Sequence, residues 1–279
     1  MLPTFINFNG EILTSHTPVL NILNRGFRYG DGLFETLRLK KGELKFPDLH
    51  ANRLLKGMKA LKLEGYSQID QYFLKEKVEE LALRNKSQNA RIRLTVFRDG
   101  EGLYTPAKNK LAYAMEFQAI EENRYALNAK GLIMHVYEEV PKPVNILSNY
   151  KTCNSLIYVM AGIFKTQQLL DDAFILNQYG FLCESISSNI FILYNNTLYT
   201  PALSEGCVAG VMRQVVLQLA MKNNIQVVEA QINPDILKEA DEVFLTNSGK
   251  GIQWVMGLGR KRYFNETSKF LVEELNKFA

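Results

Sequence analysis

Glu184-Ser185-Ile186-Ser187-Ser188-Asn189-Ile190-Phe191 opens the stretch on which the reading of this chain turns. It continues through Leu198-Tyr199-Thr200-Pro201 and closes on Val208-Ala209-Gly210-Val211-Met212-Arg213. Residues 189–194 read as a strand, Asn195-Asn196 as a turn into a second short strand, and 211 onward as an amphipathic helix with Val211, Val215, Val216 and Leu219 on one face. At Gly210-Val211-Met212 a loop becomes a helix. Such a joint presents unpaired backbone amides, and the helix dipole adds roughly half a positive charge. Many helices that bind nothing also begin after a glycine. Here a carboxylate stands at one end of the stretch and an anion-sized site at the other.

The whole spaced pattern, from the acidic residue to the final Arg, resembles the signature of the class IV aminotransferases. These are the pyridoxal-phosphate enzymes of the branched-chain aminotransferase, D-amino-acid aminotransferase and aminodeoxychorismate lyase group. The resemblance runs from Asn9-Gly10 to about Val255. It implies an α+β, two-domain fold-type IV enzyme, like D-amino-acid aminotransferase, with the cofactor between the domains. It also implies a homodimer, because family active sites are completed by a loop of the partner.

Composition reads as that of an ordinary soluble globular protein. The 279 residues suit about two domains, at 47% hydrophobic and 22% charged. No apolar run approaches the ~18 residues that span a bilayer, so no membrane partner is expected. The start, Met1-Leu2-Pro3-Thr4-Phe5-Ile6-Asn7, lacks the basic head and apolar middle of a signal peptide. A net charge of +4 is mild, and the tight basic clusters, Lys40-Lys41 and Arg260-Lys261-Arg262, form no stripe with aromatics, so no nucleic-acid partner is expected. Three cysteines, with no Cys-x-x-Cys pair, suggest neither a disulfide framework nor a zinc ribbon. The three histidines fit no metal-ligand spacing. A reducing cytoplasm is the default.

Along the chain, Asn9-Gly10 signals a hairpin between residues 5–8 and 11–13. In Asn24-Arg25-Gly26-Phe27-Arg28-Tyr29-Gly30-Asp31-Gly32-Leu33-Phe34-Glu35-Thr36, glycines and an Asp predict tight turns before a strand over 33–40. This segment is similar to the family's Tyr-Gly-Asp-Gly-x-Phe-Glu motif, by which Tyr29 and Phe34 face the substrate. Pro47-Asp48 predicts a helix start with Asp48 as N-cap, and Leu54, Leu55, Met58 and Leu61 as its core face. An Arg on a helix is ordinarily solvated. The resemblance makes Arg53, followed by Leu54, the clamp on the cofactor phosphate, a task suited to a bidentate guanidinium.

A second helix is expected over 69–84. Residues 91–98 alternate as a strand, with Ile92, Leu94 and Val96 on one face and Arg91 and Arg93 on the other. That pattern describes a half-exposed strand equally well. Branched-chain aminotransferases carry an Arg matching Arg93, which makes it a candidate for the substrate carboxylate. A strand over 112–118 leads to polar residues 120–124, taken as the boundary between domains 1–119 and 120–279. A strand over 132–138 and a Pro-rich loop at Pro141-Lys142-Pro143 follow, then a helix with Leu156, Val159, Met160 and Ile163 spaced for burial.

Lys151, in Tyr150-Lys151-Thr152-Cys153-Asn154, sits in the family's Lys-x-x-Asn context. The resemblance makes it the Schiff-base lysine and the base for the α-proton, places Glu184 at the ring nitrogen, and gives the phosphate to Arg53, Val211, Met212 and Ser248. Gly249-Lys250 is no nucleotide P-loop, lacking the earlier Gly and the following Ser or Thr. A closing helix is expected over 266–278.

Within the family, three features lean toward the lyase, which converts aminodeoxychorismate to 4-aminobenzoate and pyruvate. Met212 stands where branched-chain enzymes usually carry Thr. Thr246-Asn247-Ser248 replaces their usual Gly-Thr pair, and the chain is short for a branched-chain aminotransferase. Against this, Gly102-Leu103-Tyr104 lacks the Arg of the Gly-Arg-Gly-Tyr type segment common in lyases. A branched-chain or D-amino-acid aminotransferase is the alternative.

Overall fold

A computed structural model describes residues 4–278; Met1, Leu2 and Pro3 of the amino-terminal stretch lie outside the described residues. The chain forms two compact units: Met1–Arg124 with Tyr150–Asn154, and Tyr125–Asn149 with Ser155–Ala279. The polar residues 120–124 stay with the first unit. The lysine segment, counted with the carboxy-terminal half on sequence, groups with the first unit as well. Backbone pairing is the reason, with Phe34 N–H donating to Lys151 C=O at 2.8 Å and Cys153 N–H to Gly32 C=O at 2.9 Å. The Tyr150 ring packs against the first unit's core.

The first unit contains β1 (Phe5–Phe8), β2 (Glu11–Thr14), α1 (Arg25–Tyr29), β3 (Gly32–Lys40), β4 (Glu43–Leu44), α2 (Pro47–Ala60), α3 (Gln71–Arg84), β5 (Ala90–Arg98) and β6 (Leu111–Ala119). Its antiparallel sheet runs β2-β1-β6-β5-β3-β4. Asn9 and Gly10 both take positive φ, 51° and 97°, as a two-residue hairpin turn requires. Leu54 and Met58 of α2, with Leu74, Val78 and Leu81 of α3, pack onto Ile92, Leu94 and Val96 of β5. Each such side chain contributes roughly 1.5–3 kcal/mol on burial. Two local expectations differ. The helical N-cap is Phe46, not Asp48, because Pro47 with its fixed φ takes the first helical position; Asp48 falls in the first turn, where the dipole favours it. The Gly-rich segment holds the short helix α1, capped by the Asn24 side chain, which accepts from Phe27 N–H, and closed by Gly30 at φ 63°.

The second unit contains β7 (Leu132–Lys142), α4 (Leu156–Gln167), β8 (Asp172–Asn177), β9 (Leu182–Ser185), β10 (Asn189–Tyr194), β11 (Thr197–Pro201), α5 (Val211–Lys222), β12 (Val227–Ala230), β13 (Glu242–Asn247), β14 (Gly251–Leu258), β15 (Lys261–Arg262) and α6 (Glu266–Phe278). Its mixed sheet runs β12-β11-β10-β13-β14-β7-β8-β9, with β15 on β14. The expected loop at Pro141-Lys142-Pro143 is a correction: β7 continues to Lys142, which pairs with Asn177. Proline lacks an N–H donor, and Pro141 sits where the register shifts between Tyr137 and Lys142.

The expected core face of α4 is also corrected. Leu156 is 77% exposed and Val159 52%, with Met160 and Ile163 exposed too. The helix turns Ile157, Tyr158, Ala161 and Phe164 inward instead, against Tyr137, Ala173 and Ile175. α4 is apolar on two sides, and periodicity finds both stripes without ranking them. Val211, Val215, Val216 and Leu219 of α5 are buried as expected.

Candidate active site

In the first unit, strand alternation sends Leu33, Glu35 and Leu37 to the helix-covered face of β3. On α2, His50, Arg53 and Leu54 share one face by their i, i+3, i+4 spacing. Arg53 Nε donates to Glu35 Oε1 at 2.8 Å and Nη2 to Oε2 at 2.5 Å, while His50 Nδ1 lies 2.7 Å from Oε2. All three residues are buried. Burial alone raises the Glu35 pKa, but the Arg53 charge and the bonds from His50 and Arg53 outweigh it and hold the carboxyl at about 2. The result is an Arg53 guanidinium gripped bidentately in a fixed plane. Sequence reasoning named Arg53 but missed Glu35 and His50. The available signals were an acid between two buried leucines of a strand and a polar residue three positions before Arg53.

Phe34 projects from the other face of β3. The register sets Thr36 opposite Arg93 and Phe34 opposite Thr95, so Arg93 reaches the Phe34 ring diagonally, with Cζ 3.8 Å from its centroid. Lys151 Nζ lies 4.5 Å from the same centroid. Three expected site residues thus meet at one ring. Arg93 also approaches Glu116 at 3.8 Å. Tyr29 packs with Tyr104 at 5.5 Å and beneath the guanidiniums of Arg25 and Arg28. Asp31 accepts from Arg25 and Arg98, and Arg25 continues to the carbonyls of Gly102 and Leu103, tying that loop to the Gly-rich motif. Asn154 Nδ2 donates to Gly30 C=O at 3.3 Å, and a Cβ on Gly30 would meet Asn154 Oδ1 at 2.7 Å.

In the second unit, Glu184 is 3% exposed. Its Oε1 accepts from Lys142 Nζ and, at 2.6 Å, from Tyr158 OH; Oε2 accepts from Val208 N–H at 2.8 Å. A carboxylate has about four acceptor positions, so Oε2 retains one, which suits a protonated ring nitrogen. At the start of α5, Val211 and Met212 are 2% and 1% exposed, and no side chain caps the helix. Their amides have no intrahelical acceptor, which suits an anion. A Cβ on Gly210 would stand 1.9 Å from Asn189 Oδ1. Gly210→Ala is therefore expected to cost about 1–3 kcal/mol by overpacking, read as a lower urea midpoint with an unchanged slope. Thr246 lies opposite Asn189 in register and so on the same face. Asn189 Nδ2 donates to Val208 C=O at 2.8 Å, at the approach to α5. Thr246 Oγ1 is buried without a partner, a hydroxyl the sequence reading passed over for Ser248. Ser248 is partly exposed, and its carbonyl accepts from Tyr125 OH at 3.5 Å. Among the described residues no group of three His, Cys, Asp or Glu is placed to hold a metal ion, and no helix is long and apolar enough to cross a membrane.

The first unit thus sets a lysine and an arginine on one aromatic ring, and the second holds a buried carboxylate with one acceptor position left and, near the start of α5, a buried hydroxyl without a partner. Residues 32–256 match the family model described as Amino-transferase class IV. The putative branched-chain-amino-acid aminotransferase of Methanocaldococcus jannaschii is 30% identical over 252 residues, 88% of this chain and 85% of that one. The aminodeoxychorismate lyase of Bacillus subtilis is 26% identical over 247 residues, 87% and 83% of the two chains. The crystal structure of a branched-chain aminotransferase from Thermoproteus uzoniensis shares the fold, with a TM-score of 0.88 at 22% identity over 99% of this chain and 94% of that one. The chain belongs to the class IV aminotransferase family. Its members are pyridoxal-phosphate-dependent aminotransferases and lyases, and this chain is such an enzyme.

Proposed function

We propose that the chain is an aminodeoxychorismate lyase, releasing pyruvate from aminodeoxychorismate to leave 4-aminobenzoate. The observation that carries the amine chemistry is the pairing of Lys151 and Arg93 on the Phe34 ring, at 4.5 and 3.8 Å. A primary amine and a carboxylate-binding guanidinium thereby share one wall. Met212 and the Thr246-Asn247-Ser248 loop favour the lyase over an aminotransferase.

Pyridoxal phosphate, when bound, supplies an electron sink at the carbon bearing the substrate amine. Lys151 Nζ would attach it and, when free, would serve as the base for the proton on that carbon. Glu184 Oε2 would hold a proton at the ring nitrogen. Arg53, the amides of Val211 and Met212, and the Ser248 hydroxyl would hold the phosphate, with Thr246 Oγ1 as a further donor. Arg93 takes a substrate carboxylate, and Tyr29 and Phe34 line the substrate's path. The enzyme works in the cytoplasm on a small molecule.

The test is incubation with aminodeoxychorismate, measuring 4-aminobenzoate and pyruvate. Equal amounts of both, with no 2-oxo acid required, support the lyase. The 30% identity to a protein named as a branched-chain aminotransferase favours a second reading: transfer of an amino group from a branched-chain or D-amino acid to a 2-oxo acid. No 4-aminobenzoate, together with turnover of such a donor, would make that reading the correct one.

A homodimer is proposed as well, with the outward stripe of α4 (Leu156, Val159, Met160, Ile163) covered by a second copy. Four large apolar side chains on one exposed helical face support it. The double variant Val159→Lys, Ile163→Glu is expected to sediment as a monomer while the parent sediments as a dimer. A parent that is monomeric at micromolar concentration would end the idea.

A further inference from the structure

Lys142 has no part in the roles proposed above, yet it is 5% exposed and charged. β7 carries it past the Pro141 shift and into register with Asn177. Its Nζ donates to Glu184 Oε1 and, at 3.2 Å, to the Ser148 carbonyl. Tyr158, whose ring centroid lies 5.6 Å from Nζ, donates to that same Oε1.

We propose that Lys142 is a positioning residue for Glu184: with Tyr158 it fills both acceptor positions of Oε1, so that the one remaining position lies on Oε2, and its charge offsets part of the carboxylate's pull on a proton presented there. This rests on the reading of Glu184 as the partner of the ring nitrogen. Lys142 stays ionised. Burial alone pushes the Lys142 pKa down, but the Glu184 charge outweighs it and carries it above the ordinary lysine value. The other titratable groups facing Glu184 are Tyr158 on α4, Cys183 on β9 and Cys207 in the approach to α5. Burial first, and the Glu184 charge second, push all three upward, Cys207 to about 12, so they are neutral at working pH. Arg213, whose charge also reaches Cys207, is itself paired with Glu229. Lys142 therefore supplies the positive charge that balances Glu184.

The test uses holoenzyme loaded with pyridoxal phosphate carrying 15N in the ring and follows the ring-nitrogen shift against pH. In Lys142→Met the midpoint for loss of the ring proton is expected to rise by about one pH unit, a tenfold gain in proton affinity. Lys142→Arg, which keeps the charge, is expected to return most of that change and stands in if the Met variant does not fold. A midpoint unmoved in folded Lys142→Met, or an Arg variant that behaves like Met, would overturn the assignment. Glu184→Gln separates the two levels. If it leaves the ring nitrogen as in the parent, the reading of Glu184 itself fails; if it strips the proton while Lys142→Met changes nothing, only the role of Lys142 fails.

Discussion

Lys151→Ala is expected to abolish covalent attachment of pyridoxal phosphate and to lower turnover by about 10³-fold or more, the range for removing a group that acts as nucleophile and proton acceptor. The fold should not suffer. The segment is held by its backbone, through the bonds from Phe34 N–H to Lys151 C=O and from Cys153 N–H to Gly32 C=O, and alanine keeps both. The side chain itself is half-buried, and its contact with the Phe34 ring is worth about 0.5–1 kcal/mol. Unfolding midpoints of parent and variant should therefore nearly coincide. Mass spectrometry after borohydride reduction reads the attachment directly: the parent gains the cofactor mass on the peptide containing Lys151, and the variant gains none. Parent-like turnover by the alanine variant would remove Lys151 from the mechanism.

Glu35→Ala is expected to destabilise the first unit by about 3–5 kcal/mol, because it leaves the buried Arg53 charge without its carboxylate. Glu35→Gln, of nearly equal volume, separates lost charge from lost packing. The pH dependence has a definite sign. The Glu35 carboxyl sits at about 2 rather than the ordinary 4.5, so it stabilises the folded state above pH 4.5, and that contribution is lost as pH falls toward 2. At ~1.4 kcal/mol per pH unit, about 3 kcal/mol is at stake. Urea titrations at pH 7 and pH 3 check it: parent stability should fall more steeply with acid than that of Glu35→Gln. Equal acid sensitivity would mean that another carboxylate governs the acid limb. Weaker binding of the cofactor phosphate should accompany the loss, since Arg53 would no longer be held in one plane.

Features set by neighbours along the chain are legible in the sequence itself. Asn9-Gly10 specifies the first hairpin. The alternation of Ile92, Leu94 and Val96 marks the buried face of β5, and the spacing of Val211, Val215 and Leu219 marks that of α5. The family is legible from the spaced string ending at Arg213. Contacts between distant residues leave no local trace. Glu35 and Arg53 stand 18 positions apart, and Lys142 and Glu184 stand 42 apart. Motifs point to Arg53 and Glu184; the local pattern marks Glu35 and His50 as polar residues at core-facing positions but does not say that they hold Arg53, and nothing in it links Lys142 to Glu184. The facing of α4 is not legible because a helix apolar on two sides has two equally good stripes. The allegiance of 150–154 is hidden because it depends on backbone hydrogen bonds, which side-chain patterns do not encode.

The grip of Glu35 on Arg53 bears on how an anion would be received. A free arginine side chain loses about 2 kcal/mol of rotamer freedom when it is immobilised. Here that loss is incurred when the first unit folds, not when a ligand arrives. An anion reaching Arg53 meets a fork already set in its plane, so ordering cost is taken out of association and placed in the stability of the empty protein. Calorimetry should show it. Phosphate-bearing ligands should bind the parent with a smaller entropic penalty than they bind a folded Glu35→Gln variant, in which the guanidinium must be ordered during binding.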